Sequence, residues 1–510
     1  MIQQYETFEL RFRGEPPPHT ADALLRAEFM EDGRKTTVWG FYDGDGVYKI
    51  RYYPQFAGDL SWQVESTIAL DGPIRGKAQC QPARRQGMVR AEGVHFRYED
   101  GSRYIPVGTT VYALVHQEQD LIEQTMNTLR DAPFNKVRMC VFPKSYDYNH
   151  NEPERFAFER TDGRLDVQKP DVQFWNALEN VIIRLGEMGI EVDLILFHPY
   201  DRWGFSKLTK DECLIYLDYA VRRLSAFPNI WWSLANEYDL MEHFPESWWY
   251  EFAAFLHDKD PYGHLISNHN SLPYWDFNDP NITHCCIQDG RVKQIPNIQE
   301  TYRKPVIFDE CCYEGNIPHP WGNISGFELV HRFWTAYTTG GYCSHGETFT
   351  DPDDILWWAK GGTLHGQSPA RIAFLRSIME ELPGDLDSVR DYIGFLDAEQ
   401  LREDLKDTAK AAKIGVFERA FAKMPEDRLP ELVDRFRQVR GHCGIEVYLV
   451  YCGRQCPGSL TVELPTESYY RIEVIDVWEM TRNTVLENVN GQIQVPLPGK
   501  EGIAVLAKRK

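Results

Sequence analysis

The first eighty residues alternate between apolar and polar side chains at every second position. Between Phe8 and about Gln81, short runs such as Val47-Tyr48-Lys49-Ile50-Arg51 are separated by turn residues such as Asp43-Gly44-Asp45-Gly46. Period-two alternation with these turns is typical of antiparallel strands. We therefore expect an antiparallel β-sandwich as a first domain, over residues 1–88.

From about His95 the pattern changes to short apolar segments, most of them followed by amphipathic segments of helical period. This alternation predicts an α/β fold of βαβ units with a parallel sheet, and eight units match the length of a TIM (β/α)8 barrel over residues 89–385. The predicted strands are 104–113, 136–142, 191–197, 230–236, 264–269, 282–288, 305–310 and 341–345. The predicted helices include 172–188, 210–225, 246–258, 327–338 and 369–382.

The C-terminal part returns to strand-like runs between Gly and Pro residues. Strands are predicted at 444–451, 459–464, 470–478, 492–495 and 502–507, and a charged helical stretch at about 398–440. The third domain, residues 386–510, is thus a helical connection followed by a second antiparallel β-sandwich.

Composition excludes some partners. The formal net charge of −21 repels phosphate backbones and anionic lipid surfaces, so neither a nucleic acid nor a membrane is expected as a partner. Residues 1–10 show no signal-peptide pattern, and no apolar run reaches the ~18 residues of a membrane span. Eleven cysteines without CxxC spacing favour reduced thiols and a cytoplasmic location. The oligomeric state stays open, a homo-oligomer included.

Acidic residues follow two of the predicted barrel strands directly. Asn236-Glu237 ends the fourth strand and Asp309-Glu310 ends the seventh. Active sites of TIM barrels lie at the carboxyl ends of the strands, so Glu237 and Glu310 are expected to enter one cleft. Retaining glycoside hydrolysis needs two carboxyl groups about 5–5.5 Å apart, one as general acid/base and one as nucleophile.

The runs Trp231-Trp232-Ser233-Leu234-Ala235-Asn236-Glu237 and Lys304-Pro305-Val306-Ile307-Phe308-Asp309-Glu310 resemble the clan A retaining glycoside hydrolases. The chain as a whole resembles bacterial members with an immunoglobulin-like module before the barrel and a β-sandwich after it. The resemblance implies that Glu237 is the acid/base, Glu310 is the nucleophile, and no cofactor or metal is needed. It further implies a carbohydrate substrate among the β-D-pyranosides or α-L-furanosides. The expected cytoplasmic location favours short imported oligosaccharides and hence exo action.

The same resemblance implies roles for other strand ends. Arg138 would keep the nucleophile ionised, with a structural ion pair as the alternative, and Asn236 would bind the sugar 2-hydroxyl. Further candidate substrate-binding residues are His198, His269, Gln288, His345 and Glu347, and the candidate sugar platforms are Tyr200, Trp203, Tyr238, Trp321, Trp357 and Trp358. Core histidines and a solvated loop carboxylate are the alternatives for His198, His269 and Glu347.

Two features depart from the pattern of the clan. Gln288 ends the sixth strand, where many relatives have a Tyr beside the nucleophile, and His345-Gly346-Glu347 ends the eighth, where Trp is frequent. The substrate therefore stays open.

Two other functions are compatible with a barrel. A metal-dependent hydrolase would use His198, His269, His284 and Asp289, because barrels carry many chemistries. A non-catalytic carbohydrate-binding protein is the second alternative, and the presence of both Glu237 and Glu310 argues against it.

Overall fold

Eight parallel strands form a sheet that closes almost completely into a barrel. The computed structural model describes residues 2–350, 355–389, 398–428 and 438–510. In chain order the barrel strands are Gly108–Thr110, Lys136–Cys140, Glu191–Phe197, Ile230–Ala235, Ile266–Ser267, Cys285–Gln288, Val306–Glu310 and Tyr342–His345. They neighbour one another in the order five, four, three, two, one, eight, seven, six. A parallel bridge between His269 and Cys286 links the remaining two, so the predicted barrel is confirmed.

Helices follow most of the barrel strands, within two residues of the predicted bounds where bounds were predicted. They are Gln119–Asp131, Val172–Glu187, Lys210–Leu224, Glu246–Lys259, Ile295–Tyr302, Gly326–Thr338 and Ser368–Glu381, with a short helix at Trp357–Lys360. Capping fixes two of the helix starts, because the side chains of Asp171 and Thr209 accept hydrogen bonds from backbone N–H groups of the first turn. Residues 268–284, all of which the structure describes, contain no helix.

The predicted first strand is shorter than expected. Residues 104–113 were predicted as one strand, whereas Arg103–Tyr104 belongs to a small sheet with Val89–Glu92 and His95–Tyr98, and only Gly108–Thr110 joins the barrel. Pro106 lies between the two pieces. Proline has no N–H for the ladder, which accounts for the interruption.

Two sheets at the N-terminus confirm the predicted β-sandwich. The first contains Ile2–Gln3, Arg75–Gln81, Gly58–Ser66, Leu25–Glu31 and Arg34–Trp39; the second contains Phe41–Tyr42, Val47–Tyr52, Phe8–Gly14 and Leu70–Asp71. Their inward side chains share one core, in which the rings of Phe29 and Tyr52 stack with centroids 3.9 Å apart.

Two short strand pairs lie in loops of the barrel. A hairpin of Phe158–Thr161 and Arg164–Pro170 lies in the loop after the second barrel strand, and Glu314–Gly315 pairs with Glu347–Thr348.

The C-terminal part also forms antiparallel sheets, as predicted. One sheet contains Asp387–Ser388, Val439–Cys443, Val447–Tyr451, Ile503–Arg509, Tyr470–Asp476 and Thr481–Val489, and a second pairs Ser459–Leu464 with Gly491–Pro496. The predicted helical stretch is confirmed only in part, as helices Ala398–Asp404, Thr408–Ala411 and Val416–Ala422. Residues 429–437 lie outside the described residues, and 439–443 form a strand, which corrects the predicted end at 440.

The chain divides into two compact units. The first unit comprises Met1–Gly290, Tyr302–Ser325 and Cys343–Pro369, and the second comprises Arg291–Thr301, Gly326–Tyr342 and Ala370–Lys510. The predicted domain boundaries after residues 88 and 385 stay predictions. In the described part of the chain, no helix combines the length and the hydrophobicity that a bilayer crossing requires.

A buried ionic network within the first unit joins the N-terminal sandwich to two barrel helices. Glu179 accepts hydrogen bonds from Arg51 at 2.7 and 2.8 Å and from Arg223 at 2.5 Å. Arg223 also contacts Asp43 at 2.7 Å, and Asp43 lies 2.5 Å from Lys49. Arg51, Glu179 and Arg223 are all buried. Since buried charges are tolerated only when they are paired, this network fixes the sandwich against the barrel.

We predict that Glu179→Gln destabilises the protein by about 3–5 kcal/mol, because it leaves two buried guanidinium groups without their shared carboxylate. Thermal unfolding followed by calorimetry measures the effect. The matched control is Glu65→Gln, which breaks the exposed 2.8 Å pair with Arg26 and should cost about 0–1 kcal/mol. Equal effects of the two variants would contradict a structural role for the network.

Candidate active site

A cavity of about 570 Å³ lies at the carboxyl ends of the barrel strands. Two carboxylates, Glu237 and Glu310, face it together. The other lining residues are Tyr112, Lys144, Tyr146, Asp147, Tyr148, Tyr200, Asn236, Ser271, Gln288, Asp289, Gly290, Cys312, Tyr313, His319, Trp321 and Trp358.

Glu237 enters the cavity because the fourth strand ends abruptly before it. Its backbone adopts the left-handed conformation, with φ 57° and ψ 59°, a region that costs a non-glycine residue of order 1–3 kcal/mol and is frequent at functional sites. A bond from Tyr238 N to His269 O at 3.0 Å holds the turn. The Glu237 carboxylate accepts hydrogen bonds from Tyr200 Oη, from Asn236 Nδ2 at 3.2 Å and from Gln288 Nε2 at 3.2 Å.

Glu310 enters the cavity through an irregularity in the seventh strand. The pairing register between the sixth and seventh strands shifts by one residue, so that Ile287 pairs with Phe308 but Gln288 pairs with Glu310. Asp309 is the extra residue. Such bulges re-aim side chains next to active sites, and here both Asp309 and Glu310 contact groups of the barrel interior, although consecutive strand residues normally point to opposite faces.

Donors and cations surround the Glu310 carboxylate. The Tyr112 hydroxyl bonds to Glu310 and lies 2.9 Å from Asn236 Oδ1. Arg138 Nη1 and His269 Nε2 approach Glu310 Oε1 at 3.6 and 3.8 Å. A chain of contacts therefore runs from Glu310 through Tyr112 and Asn236 to Glu237.

Burial and the nearby charge of Glu237 raise the pKa of Glu310, while Arg138, Lys144 and the Tyr112 hydrogen bond oppose the shift. Arg138 thus acts in the predicted direction but does not determine the outcome. Two carboxylates in one buried cavity hold a proton more readily than isolated ones do.

Below the cavity, four buried charges alternate in sign. Lys136 Nζ lies 2.6 Å from Asp309 and 2.7 Å from Asp193, and Arg138 Nε lies 3.3 Å from Asp193. Burial favours neutral Asp309, yet Lys136 and Arg138 together hold its pKa below its usual range. Among the described residues, one group of potential metal ligands lies close together, and it consists of Asp193, Asp309 and Cys286. These acids are already paired with two cations, so the arrangement does not favour a metal ion.

The four residues of the metal-dependent alternative are not among that group. His198 Nε2 bonds to Phe142 O at 3.1 Å, His284 Nδ1 bonds to Thr283 at 3.0 Å, and Tyr274 donates to Asp289 at 2.6 Å. His269 lies beside Glu310. The geometry therefore favours a site built on Glu237 and Glu310.

The structure brings together about half of the predicted site residues, whose roles stay predictions. Glu237, Glu310, Asn236 and Gln288 line the cavity, and Arg138 and His269 contact Glu310 from the barrel interior. Five others do not line it: His198, Trp203, Tyr238, His345 and Glu347. Of the remaining sugar platforms, Tyr200, Trp321 and Trp358 line the cavity and Trp357 does not.

Glu347 has a structural environment instead. Its carboxylate accepts hydrogen bonds from the backbone N–H groups of His365 and Gly366, and Glu314 accepts from Gln367 and Ser368. Burial raises the pKa of Glu347 to about 7. His345 bonds to Thr109 at 2.9 Å and stacks on Phe134. Glu347 and Glu314 thus hold the loop that precedes the helix Ser368–Glu381.

Sequence reasoning missed Tyr112, Lys144, Tyr146 and Tyr313. Tyr112 follows the first barrel strand, as Glu237 and Glu310 follow theirs, and the same rule applied to Thr109-Thr110-Val111-Tyr112 would have found it. Tyr112 and Tyr313 lie beside Glu310, and the charge of Glu310 adds to burial in raising their pKa values. Lys144 and Tyr146 lie in an irregular loop without a periodic pattern.

The comparisons with known proteins agree with this geometry. The apiosidase-like catalytic domain family matches residues 90–382. The chain belongs to the apiosidase-like family. Two domains of unknown function match on either side, DUF5060 at residues 1–67 and DUF5605 at residues 437–508. This membership confirms the prediction of a glycoside hydrolase with a barrel between two β modules.

Solved structures support the same assignment. A protein from Bacteroides vulgatus ATCC 8482, assigned as a glycoside hydrolase, is 31% identical, with 100% of this chain and 99% of that chain covered and a TM-score of 0.86. A glycoside hydrolase of family 5 from the same organism is 14% identical, with 83% of this chain and 94% of that chain covered and a TM-score of 0.59. The second shares the fold. The comparison with curated proteins gave no match.

We predict that Tyr112→Phe lowers kcat/KM on the best glycoside by about 10–100-fold, because a hydrogen bond to a charged group contributes about 1.5–3 kcal/mol. The matched control is Tyr216→Phe. Tyr216 lies on the helix Lys210–Leu224, and its buried hydroxyl is 3.3 Å from Leu196 O. The kcat/KM of this variant should stay within about threefold of wild type. Initial rates of the two variants measure the difference. A wild-type kcat/KM in Tyr112→Phe would show that the hydrogen bond from Tyr112 to Glu310 does not contribute to catalysis.

Proposed function

We propose that this apiosidase-like protein hydrolyses glycosidic bonds with retention of configuration, with Glu237 as general acid/base and Glu310 as nucleophile. The observation that carries the proposal is the chain of contacts from Glu310 through Tyr112 and Asn236 to Glu237 within one cavity. Glu237 donates a proton to the leaving oxygen while Glu310 attacks the anomeric carbon. Glu237 then takes a proton from the water that releases the sugar from Glu310.

The substrate is proposed to be a short oligosaccharide or glycoside, cleaved from its end. A cavity of about 570 Å³ is in the range of pockets that enclose one small ligand. Trp321 and Trp358 provide aromatic faces, and their ring centroids lie 5.1 Å apart. β-D-Pyranosides and α-L-furanosides are the predicted classes, and the name of the family makes apiosides the first substrates to test.

The proposed location is the cytoplasm. The chain has eleven cysteines without CxxC spacing, seven of them buried, and reduced cysteines are typical of that compartment. Short imported oligosaccharides would be the substrates available there.

We predict that Glu310→Gln lowers kcat by at least about 10³-fold on every glycoside that the wild type cleaves, because the attacking carboxylate is lost. Glu237→Gln should lose much less activity on an aryl glycoside with an acidic phenol than on one with a poor leaving group, since the acidic phenol needs little protonation. Rates on a panel of aryl glycosides and apiosides measure both effects.

The matched control is Glu191→Gln, at the start of the third barrel strand. Burial raises the pKa of Glu191 to about 8, so glutamine replaces a carboxyl group that is mostly neutral at pH 7. Wild-type rates are expected for this control. NMR of the first-formed product should show the anomer of the substrate, and the opposite anomer would mean inversion.

A further inference from the structure

A buried lysine ammonium faces the cavity within a cage of aromatic rings. Lys144, in the loop after the second barrel strand, is 2% exposed. Its Nζ lies 3.5 Å from the ring centroid of Tyr112, 4.3 Å from Tyr200, 4.8 Å from Tyr146 and 5.6 Å from Trp358. Lys144 O accepts a hydrogen bond from Asn149 Nδ2 at 2.7 Å, which fixes the loop.

Two rings of the cage belong to the tyrosines that bind the catalytic pair. Tyr112 bonds to Glu310 and Tyr200 bonds to Glu237. The ammonium therefore contacts the hydrogen-bonding partner of each carboxylate. We propose that Lys144 is a positioning residue that holds these two tyrosines and supplies the positive charge that balances the Glu237–Glu310 pair.

The charges near the cavity support this assignment. Lys136 pairs with Asp193 and Asp309 beneath the site, and Arg138 is shared between Asp193 and Glu310, at 3.3 and 3.6 Å. Asp147 and Asp289, which also line the cavity, are acidic. Lys144 is the lysine among the residues that line the cavity, and these residues include no arginine. Within the described ranges, no carboxylate lies within ion-pair distance of its ammonium.

Aromatic rings suit this role better than a carboxylate partner would. A desolvated cation over an aromatic face is attracted by the quadrupole of the ring, yet the ring carries no net charge. The cage therefore holds the ammonium without neutralising it, and its charge acts on the two glutamates. Burial lowers the pKa of Lys144, whereas Cys140, Glu237 and Glu310 oppose that shift.

Other groups act on Glu310 as well, so the effect of Lys144 must be separated from theirs. Titratable and charged groups on several elements face Glu310. They are Tyr112 after the first strand, Arg138 and Cys140 on the second, Glu237 after the fourth, His269 after the fifth, and Lys144, Tyr146, Tyr200 and Tyr313 in loops. A substitution at Lys144 alone changes none of the other residues, so a shift in the Glu310 titration reports the loss of the lysine charge together with the release of Tyr112 and Tyr200.

The test is a direct titration of Glu310. The inference rests on the proposed function only because that proposal assigns Glu310 as the nucleophile. Protein with ¹³C-labelled glutamate carboxyl groups is titrated by NMR, and the Glu310 signal is identified by its absence in Glu310→Gln. In Lys144→Met and Lys144→Gln the titration of Glu310 should move to higher pH by about one unit or more, because a nearby cation favours the ionised carboxylate. Lys144→Arg should stay near wild type.

Lys77→Met is the matched control, because it removes one exposed lysine charge from the strand Arg75–Gln81 of the N-terminal sandwich, and solvent screening of that charge should leave the Glu310 titration unchanged. An unchanged Glu310 titration in both neutral Lys144 variants, with folding verified by circular dichroism, would overturn the proposal. Lys144→Gln, which keeps a polar side chain, provides the second neutral variant if Lys144→Met does not fold.

The acid limb of kcat/KM gives an independent readout. It should move with the Glu310 titration in the neutral variants and stay in place in Lys144→Arg. If the wild type cleaves no glycoside, or if Glu310→Gln is as active as wild type, the proposed function fails while the NMR titration still decides the role of Lys144.

Discussion

Two carboxylates in one buried cavity are the constraint on which the rest of the site depends. At the separation of about 5 Å that retaining hydrolysis requires, two negative charges would repel by roughly 3 kcal/mol at an effective dielectric constant of 20, and burial adds a desolvation penalty to each. The groups around Glu237 and Glu310 offset both the repulsion and the desolvation. Hydroxyl and amide donors bind the carboxylates directly, through Tyr112, Tyr200, Asn236 and Gln288.

The barrel supplies these groups because its strands end at one rim, but regular strand geometry would not aim them. The direction of the Glu237 side chain depends on the left-handed backbone of Glu237 itself, after the fourth strand. The direction of the Glu310 side chain depends on the one-residue register shift in the seventh strand. The shift also turns Asp309 toward Lys136, in the interior. The ion pair of Asp309 beneath the site and the position of Glu310 above it thus follow from the same bulge, which explains why two consecutive acidic residues both contact groups of the barrel interior.

The sequence predicts the parts of this arrangement that follow from periodicity. Continuous apolar runs gave the third, fourth and seventh strands almost to the residue, and polar residues at their ends led to Glu237 and Glu310. The rule fails where local chemistry intervenes: Pro106 interrupts the predicted first strand, and His345 and Glu347, which also end a strand, turn to Thr109 and to backbone donors of the next loop. Lys144 and Tyr146 come from a loop, where side-chain direction depends on tertiary contacts that no period records.

The charge of the site changes during the proposed reaction, and the surroundings fit both states. Before attack, the pair shares one proton, so that one negative charge faces the caged ammonium of Lys144. Once Glu310 is bound covalently to the sugar, its charge is lost, and Glu237 has given its proton to the leaving group. One negative charge again faces the same cation, now on the other glutamate. Because aromatic rings hold Lys144 without favouring either carboxylate, the ammonium can stabilise each anion in turn, and the repulsion that kept the proton on the pair disappears when Glu237 must act as a base.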